Sequence, residues 1–148
     1  MIDKPIIKSV RDYILTFTGL VDEAKVNVGY LPKETINFSI EEIPNEQGSI
    51  VRKYLDGGSE RQFLFVFAAM FNYEEATKTM IENSGFFEEF QEWIEKNDVE
   101  EIYPKLRSGL KPTGIEVLTT GYLFYVPESM DRARYQIQCR LTYEKEAI

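Results

Sequence analysis

The sequence predicts an α+β domain: a mostly antiparallel sheet, in the order α-β-β-β-β-α-β-β, with helices packed on one face. Three observations carry this. Segments of strand period and of helical period are segregated along the chain, the pattern of helices laid against a largely antiparallel sheet. Asp56-Gly57-Gly58 places residues that accept positive φ between two strand-like runs, as a tight reversal requires. After that turn, Phe63 to Phe71 is apolar at every position. Such a strand is central and covered on both sides, either as a core strand that needs no partner or with helices on one face and a partner on the other.

The elements follow in order. Ile6, Ile7, Val10, Ile14 and Phe17 share one face of a helix over Lys4–Phe17, with Lys8, Arg11 and Asp12 outside. Asp3 is its expected cap, Pro5 sits in the first turn and Gly19 stops it. Lys25–Leu31 sets Val26, Val28 and Tyr30 against Lys25, Asn27 and Gly29. Thr35–Ile43 sets Ile36, Phe38 and Ile40 against Asn37, Ser39 and Glu41. Pro44–Gly48 is a loop, and the hairpin around Asp56 completes a four-strand meander.

Glu74–Asp98 returns to helical period with Ala76, Met80, Phe87, Phe90, Trp93 and Ile94 as its apolar stripe. Asn83-Ser84-Gly85 predicts a break into two helices, Ser84 capping the second. Val99–Gly114, with two prolines and two glycines, reads as an exposed connection; Glu116–Tyr125 reads as a strand and Val126–Asp131 as a loop. In the last strand, Arg132–Tyr143, residues Tyr135, Ile137, Cys139, Leu141 and Tyr143 point one way, and Arg134, Gln136, Gln138, Arg140 and Thr142 the other.

Composition excludes several function classes. A chain of 148 residues, 43% apolar and 28% charged, fits a single domain over 1–148 with its own core. A net charge of −8 argues against a sequence-specific nucleic-acid surface, which needs a Lys/Arg footprint. One cysteine excludes an intrachain disulfide and a Cys-rich metal site. No stretch approaches a membrane span, and the amphipathic start lacks the apolar core of a signal peptide, which together predict a cytoplasmic protein. The absence of histidine removes Ser-His and Cys-His nucleophile pairs and most transition-metal sites. Neither cofactor nor metal is expected, and no catalytic residue stands out.

Four constellations remain. Between Glu74 and Glu101 lie ten acids and two bases, a net −8 that equals the charge of the whole chain. Glu88, Glu89 and Glu92 belong to it, as a solvated helix face or as a negative surface turned to a basic partner or a DNA passage. Arg134, Gln136, Gln138 and Arg140 form a polar ladder that lines an interface or a pore wall, or meets water. Asp56-Gly57-Gly58 lacks the surroundings of a phosphate loop and is a turn. Cys139 falls on the packed face, an inert thiol.

Several stretches together carry a resemblance: KPIIKSVRDYILTFTGL, KYLDGGSERQFLFVFAA, IENSGFFEEFQEWIE and LTTGYLFYVPESMDRARYQIQCRLTY. They resemble the minor capsid or tail-terminator-like proteins of long-tailed bacteriophages and prophages. The resemblance implies a virion structural protein at the head–tail junction without enzymatic activity. It implies a ring, typically of six copies, that caps the tail tube and meets the head connector while DNA passes through. The implied location is the host cytoplasm during assembly, then the virion. On this reading Pro44–Gly48 and Val99–Thr113 contact neighbouring subunits or the tail tube. The competing reading is a stand-alone, non-enzymatic protein- or ligand-binding α+β domain, with Trp93 and the tyrosines lining a pocket.

Overall fold

Two fourteen-residue strands, β4 (Ser59–Asn72) and β7 (Arg132–Lys145), pair antiparallel along their whole length in the computed structural model. The structure describes residues 1–20, 25–33, 37–73, 77–128 and 131–148. Every other strand except β1 is laid against this pair. On the β4 side, β2 (Asn37–Glu42) and β3 (Ile50–Lys53) each pair antiparallel with β4, and β1 (Lys25–Val28) pairs parallel with β2. On the β7 side, β5 (Leu110–Val117) and β6 (Tyr122–Tyr125) each pair antiparallel with β7. The result is a seven-stranded mixed sheet with two helices, α1 (Ile6–Ile14) and α2 (Thr77–Val99).

The odd-numbered residues of β4 and β7 build the core. Phe63, Phe65, Phe67 and Ala69 join Tyr135, Ile137, Cys139, Leu141 and Tyr143, all buried, in one cluster. From α1 come Val10, Tyr13 and Ile14, with Phe17 three residues beyond its end, and from α2 Phe87, Phe90 and Ile94. The Phe67 ring lies 4.7 Å from that of Phe90, and Phe17 meets Phe90 edge-on at 5.3 Å. Truncating a ring so placed, as in Phe67→Ala, costs about 3–5 kcal/mol.

Several sequence expectations need correction. The four early strands are not a meander. β2 skips β3 to lie against β4, and β1 and β2 run the same way. The element order is α-β-β-β-β-α-β-β-β, because the strand expected over Glu116–Tyr125 is two. β5 starts at Leu110, inside the expected connection, and β6 resumes at Tyr122. Between them the chain leaves the ladder: Leu118 N still donates to Gln138 O at 2.7 Å, but Gln138 N donates to the Thr119 hydroxyl instead of a backbone oxygen. Val99–Gly114 is also not wholly exposed, since Pro104 is buried and Tyr103 and Leu106 pack on the core.

The helix ends differ too. Asp3 does not cap α1; Pro5 holds the cap position without a side-chain bond, and its carbonyl accepts from Lys8 N and Ser9 N. Asn83-Ser84-Gly85 does not break α2, whose residues Phe86, Phe87, Phe90, Trp93 and Ile94 all dock on the core. A helical glycine costs about 1 kcal/mol relative to alanine, less than that docking supplies. Met80 is exposed, outside the stripe, and so are Val28 and Tyr30 at the β1 edge. Thr35, Ile36, Glu74, Glu75, Ala76, Ser129 and Met130 lie outside the described residues.

Candidate functional site

The even-numbered face of the sheet is built differently. Alternation along β4 turns Val66, Ala68 and Met70 to this side; all three are buried, yet none belongs to the core cluster. Their register partners are polar. Ala68 lies between Ser39 and Gln136, Val66 between Glu41 and Gln138, and Met70 between Asn37 and Arg134. Modest apolar residues on the middle strand let the long polar side chains of the outer strands lie over it, stems on apolar surface and heads bonded to one another.

Those heads form one connected chain. The Ser39 hydroxyl donates to Glu41 Oε2 at 2.7 Å. Arg134 grips Glu41 with both terminal nitrogens, each at 3.1 Å, the two-pronged geometry that makes guanidinium–carboxylate pairs strong. Arg134 Nε donates to Gln136 Oε1 at 3.0 Å, and Gln136 Nε2 donates to the Tyr122 oxygen at 2.5 Å. Gln138 Nε2 donates to the same oxygen at 3.1 Å. The Arg134 guanidinium also stands 5.1 Å from the centre of the Phe124 ring. Gln136 is only 5% exposed, so a polar residue is held in a fixed, satisfied place.

Of the expected ladder, the structure brings Arg134, Gln136 and Gln138 together. Arg140 stands on the same face but pairs with Glu116 of β5, its register partner. Glu88, Glu89 and Glu92 are exposed on α2 and join none of these residues. Sequence reading missed Glu41, Ser39 and Tyr122 as members of the network. The signal was present for two of them: Ser39 and Glu41 are the outward set of their strand's alternation.

Burial governs the titratable groups away from this face. It pushes the Cys139 thiol far up, so that no thiolate is at hand for chemistry. Burial also raises Tyr13 to about 12, against the opposing pull of the Asn97 hydrogen bond. Among the described residues no three metal-ligating side chains cluster, and no helix is long and apolar enough to cross a membrane.

Trp93 packs among aromatic rings. Its ring packs on Tyr13 at 4.9 Å, Phe17 at 5.2 Å and Phe90 at 5.9 Å, joining α2 to α1. A cleft of about 330 Å³ lies nearby, between α1 and Ile102–Lys105, walled by Tyr13 and Tyr103. Both hydroxyls are engaged: Tyr13 donates to Ile102 O, and Tyr103 is within hydrogen-bond distance of Asp98.

No family model matches the chain, and comparison with curated proteins finds no match.

Proposed function

We propose that this protein is a non-enzymatic structural subunit of a phage or prophage virion, a tail terminator or completion protein at the head–tail junction. In this reading 1–148 is one domain whose two helices cover only the odd face of a mostly antiparallel sheet. The even face is left free to meet neighbours or the passage for DNA. Copies close into a ring, of six by the resemblance, on the tail-tube protein and beneath the head connector.

The observation that carries the reading is the even face: a network running from Ser39 to Gln138, satisfied within the subunit, beside the exposed rings of Phe124 and Tyr125. Aromatic residues and arginine are enriched at protein interfaces, and Phe124, Tyr125 and Arg134 stand together at this margin. The resemblance of the hairpin, the NSGF helix and the last strand to tail-terminator-like proteins supports the same conclusion. The concentration of acid on α2 suits a surface that DNA passes without sticking.

The deciding experiment measures mass by light scattering, alone and mixed with a cognate tail-tube protein, with negative-stain images of large species. Rings alone or on tube ends are expected. A chain that stays monomeric and ignores the tubes overturns the reading.

A further inference from the structure

Two edge strands of the sheet, β1 and β6, belong to the same rows of residues. Register partners run Asn27, Ser39, Ala68, Gln136, Tyr122 across five strands, and the adjacent row runs likewise from Val26 to Leu123. So β1 and β6 are opposite margins of one five-strand band. Among the described residues β1 pairs only with β2, and β6 only with β7.

Their directions are complementary. β2 and β7 are both antiparallel to β4, β1 follows β2, and β6 opposes β7. β6 therefore runs opposite to β1. A second copy carried sideways along the band, without being turned over, brings its β1 beside β6 as an antiparallel partner. That is the more stable ladder, with the rows still aligned.

The margins are also unequally defended. Exposed edges are ordinarily blunted by charge, proline or bulges. β5 carries Lys111, Pro112, Glu116 and a register shift, and β3 carries exposed Arg52 and Lys53 with another. β6 is Tyr-Leu-Phe-Tyr, without charge or proline, and Leu123, Phe124 and Tyr125 are 43%, 55% and 43% exposed. Its defences are its short length and one shift between Leu123 and Tyr125. The opposite margin offers Val28 and Tyr30, exposed as well, and is guarded at one point, where Arg11 Nε donates to Val26 O at 2.7 Å.

Charge favours the same pairing. α2 lies against β5, and Gly121 at the entry to β6 abuts Phe87 of α2, so the acidic helix belongs to the β6 side. α1 lies against β1 and β2, where Lys25 and Lys33 are exposed. Side-by-side copies set the acidic flank of one against a flank where Lys25 and Lys33 stand among Asp22, Glu23 and Glu34 in sequence, near neutral instead of acidic.

We infer that the partner of the β6 edge is the β1 edge of a second copy of this chain, head to tail, so that the sheet continues from subunit to subunit. Such a contact is heterologous and closes into a ring once each step adds a fixed rotation. This rests on the ring reading above and assigns its contact.

The test is a double variant, Lys25→Cys with Tyr125→Cys. Both positions are exposed, and they lie on opposite margins of one subunit, so only a neighbour can bridge them. Directly opposed strand residues stand within disulfide reach. Cys139 is fully buried and does not interfere. Mild oxidation of the purified protein is expected to give a covalent ladder that ends in a closed species, whereas each single variant stops at a dimer. Oligomers of unchanged mass without a ladder overturn the edge assignment and leave the ring reading standing. A monomer without a ladder also overturns it, and the tail-tube mixture then decides the ring separately.

Discussion

Arg134 on β7 reaches across the intervening strand to hold Glu41 on β2 with both of its terminal nitrogens. The two residues are 93 apart in sequence, and their side chains are 13% and 24% exposed, so the pair is largely withdrawn from water. Removing Arg134 leaves Glu41 without its cation and strips the cover from Met70. Arg134→Ala is expected to lose about 1–3 kcal/mol in urea unfolding. A double-mutant cycle with Glu41→Gln should show coupling of about 1–2 kcal/mol; strictly additive losses would remove the pair from any role in rigidity.

Tyr13 ties α1 to the end of α2. Its hydroxyl donates to Ile102 O at 3.0 Å and accepts from Asn97 Nδ2 at 2.9 Å. Burial raises its pKa from 10.0 to about 12. Between those values the unfolded chain releases this proton and the folded one keeps it. Stability is therefore whole below pH 10 and falls as pH climbs towards 12. Tyr13→Phe should lose about 1–2 kcal/mol at neutral pH, because Asn97 is left without its acceptor. It should also flatten the alkaline decline; an unchanged slope in pH-dependent urea melts would assign that decline to other groups.

What the sequence discloses depends on whether a residue's environment is set locally. In β7, Tyr135, Ile137, Cys139, Leu141 and Tyr143 are buried as their alternation requires, since one strand's pleat decides all five. The fate of Gln136 was not legible, because its burial depends on Tyr122, fourteen residues away, and on Arg134 held by a distant glutamate. The continuity of α2 through Gly85 was hidden for the same reason. Local propensity argued for a break, and contacts of Phe86 with Phe38 and Phe71 overrode it. The split of β5 from β6 turns on Gly121 meeting Phe87, a contact no periodicity encodes.

The exit from α2 carries a correctable strain. Ile102 N donates to Asn97 O and Glu101 N to Asp98 O, the paired bonds that close a helix through a left-handed residue. That residue is Glu101, with φ of 57°, where glycine is usual. Its negative charge also sits at the helix end that prefers cations. Glu101→Gly should stabilise the fold by about 0.5–1 kcal/mol, read as a higher urea midpoint at constant slope. A loss would mean that Glu101 makes a contact outweighing its backbone.

Glu88, Glu89 and Glu92 project from α2 into solvent, and their reversal to lysine takes the net charge from −8 to −2, two charges per site. Each exposed change should alter stability by no more than about 0.5 kcal/mol. Assembly, by contrast, should weaken and its salt dependence should reverse, because salt would then screen repulsion from Lys25 and Lys33 of the adjoining copy. Light scattering over a salt series separates the outcomes. Unchanged assembly would reduce this helix face to solvated surface.

Gly121 fixes where β6 begins. A Cβ there would stand 2.4 Å from the Phe87 Cβ and 2.5 Å from its Cγ, closer than side chains approach. The obstacle is the root of the Phe87 side chain, which cannot swing aside as a ring tip does. Gly121→Ala should therefore destabilise by about 1–3 kcal/mol and push β6 away from α2. Phe87→Ala keeps the offending Cβ and should fail to rescue it, whereas Phe87→Gly should recover part of the loss arising from the clash. Because β6 is the proposed assembly edge, a displaced Gly121→Ala strand should also lower the assembled mass at concentrations where the monomer remains folded. Normal assembly by a destabilised but folded variant would separate β6 from the contact between subunits.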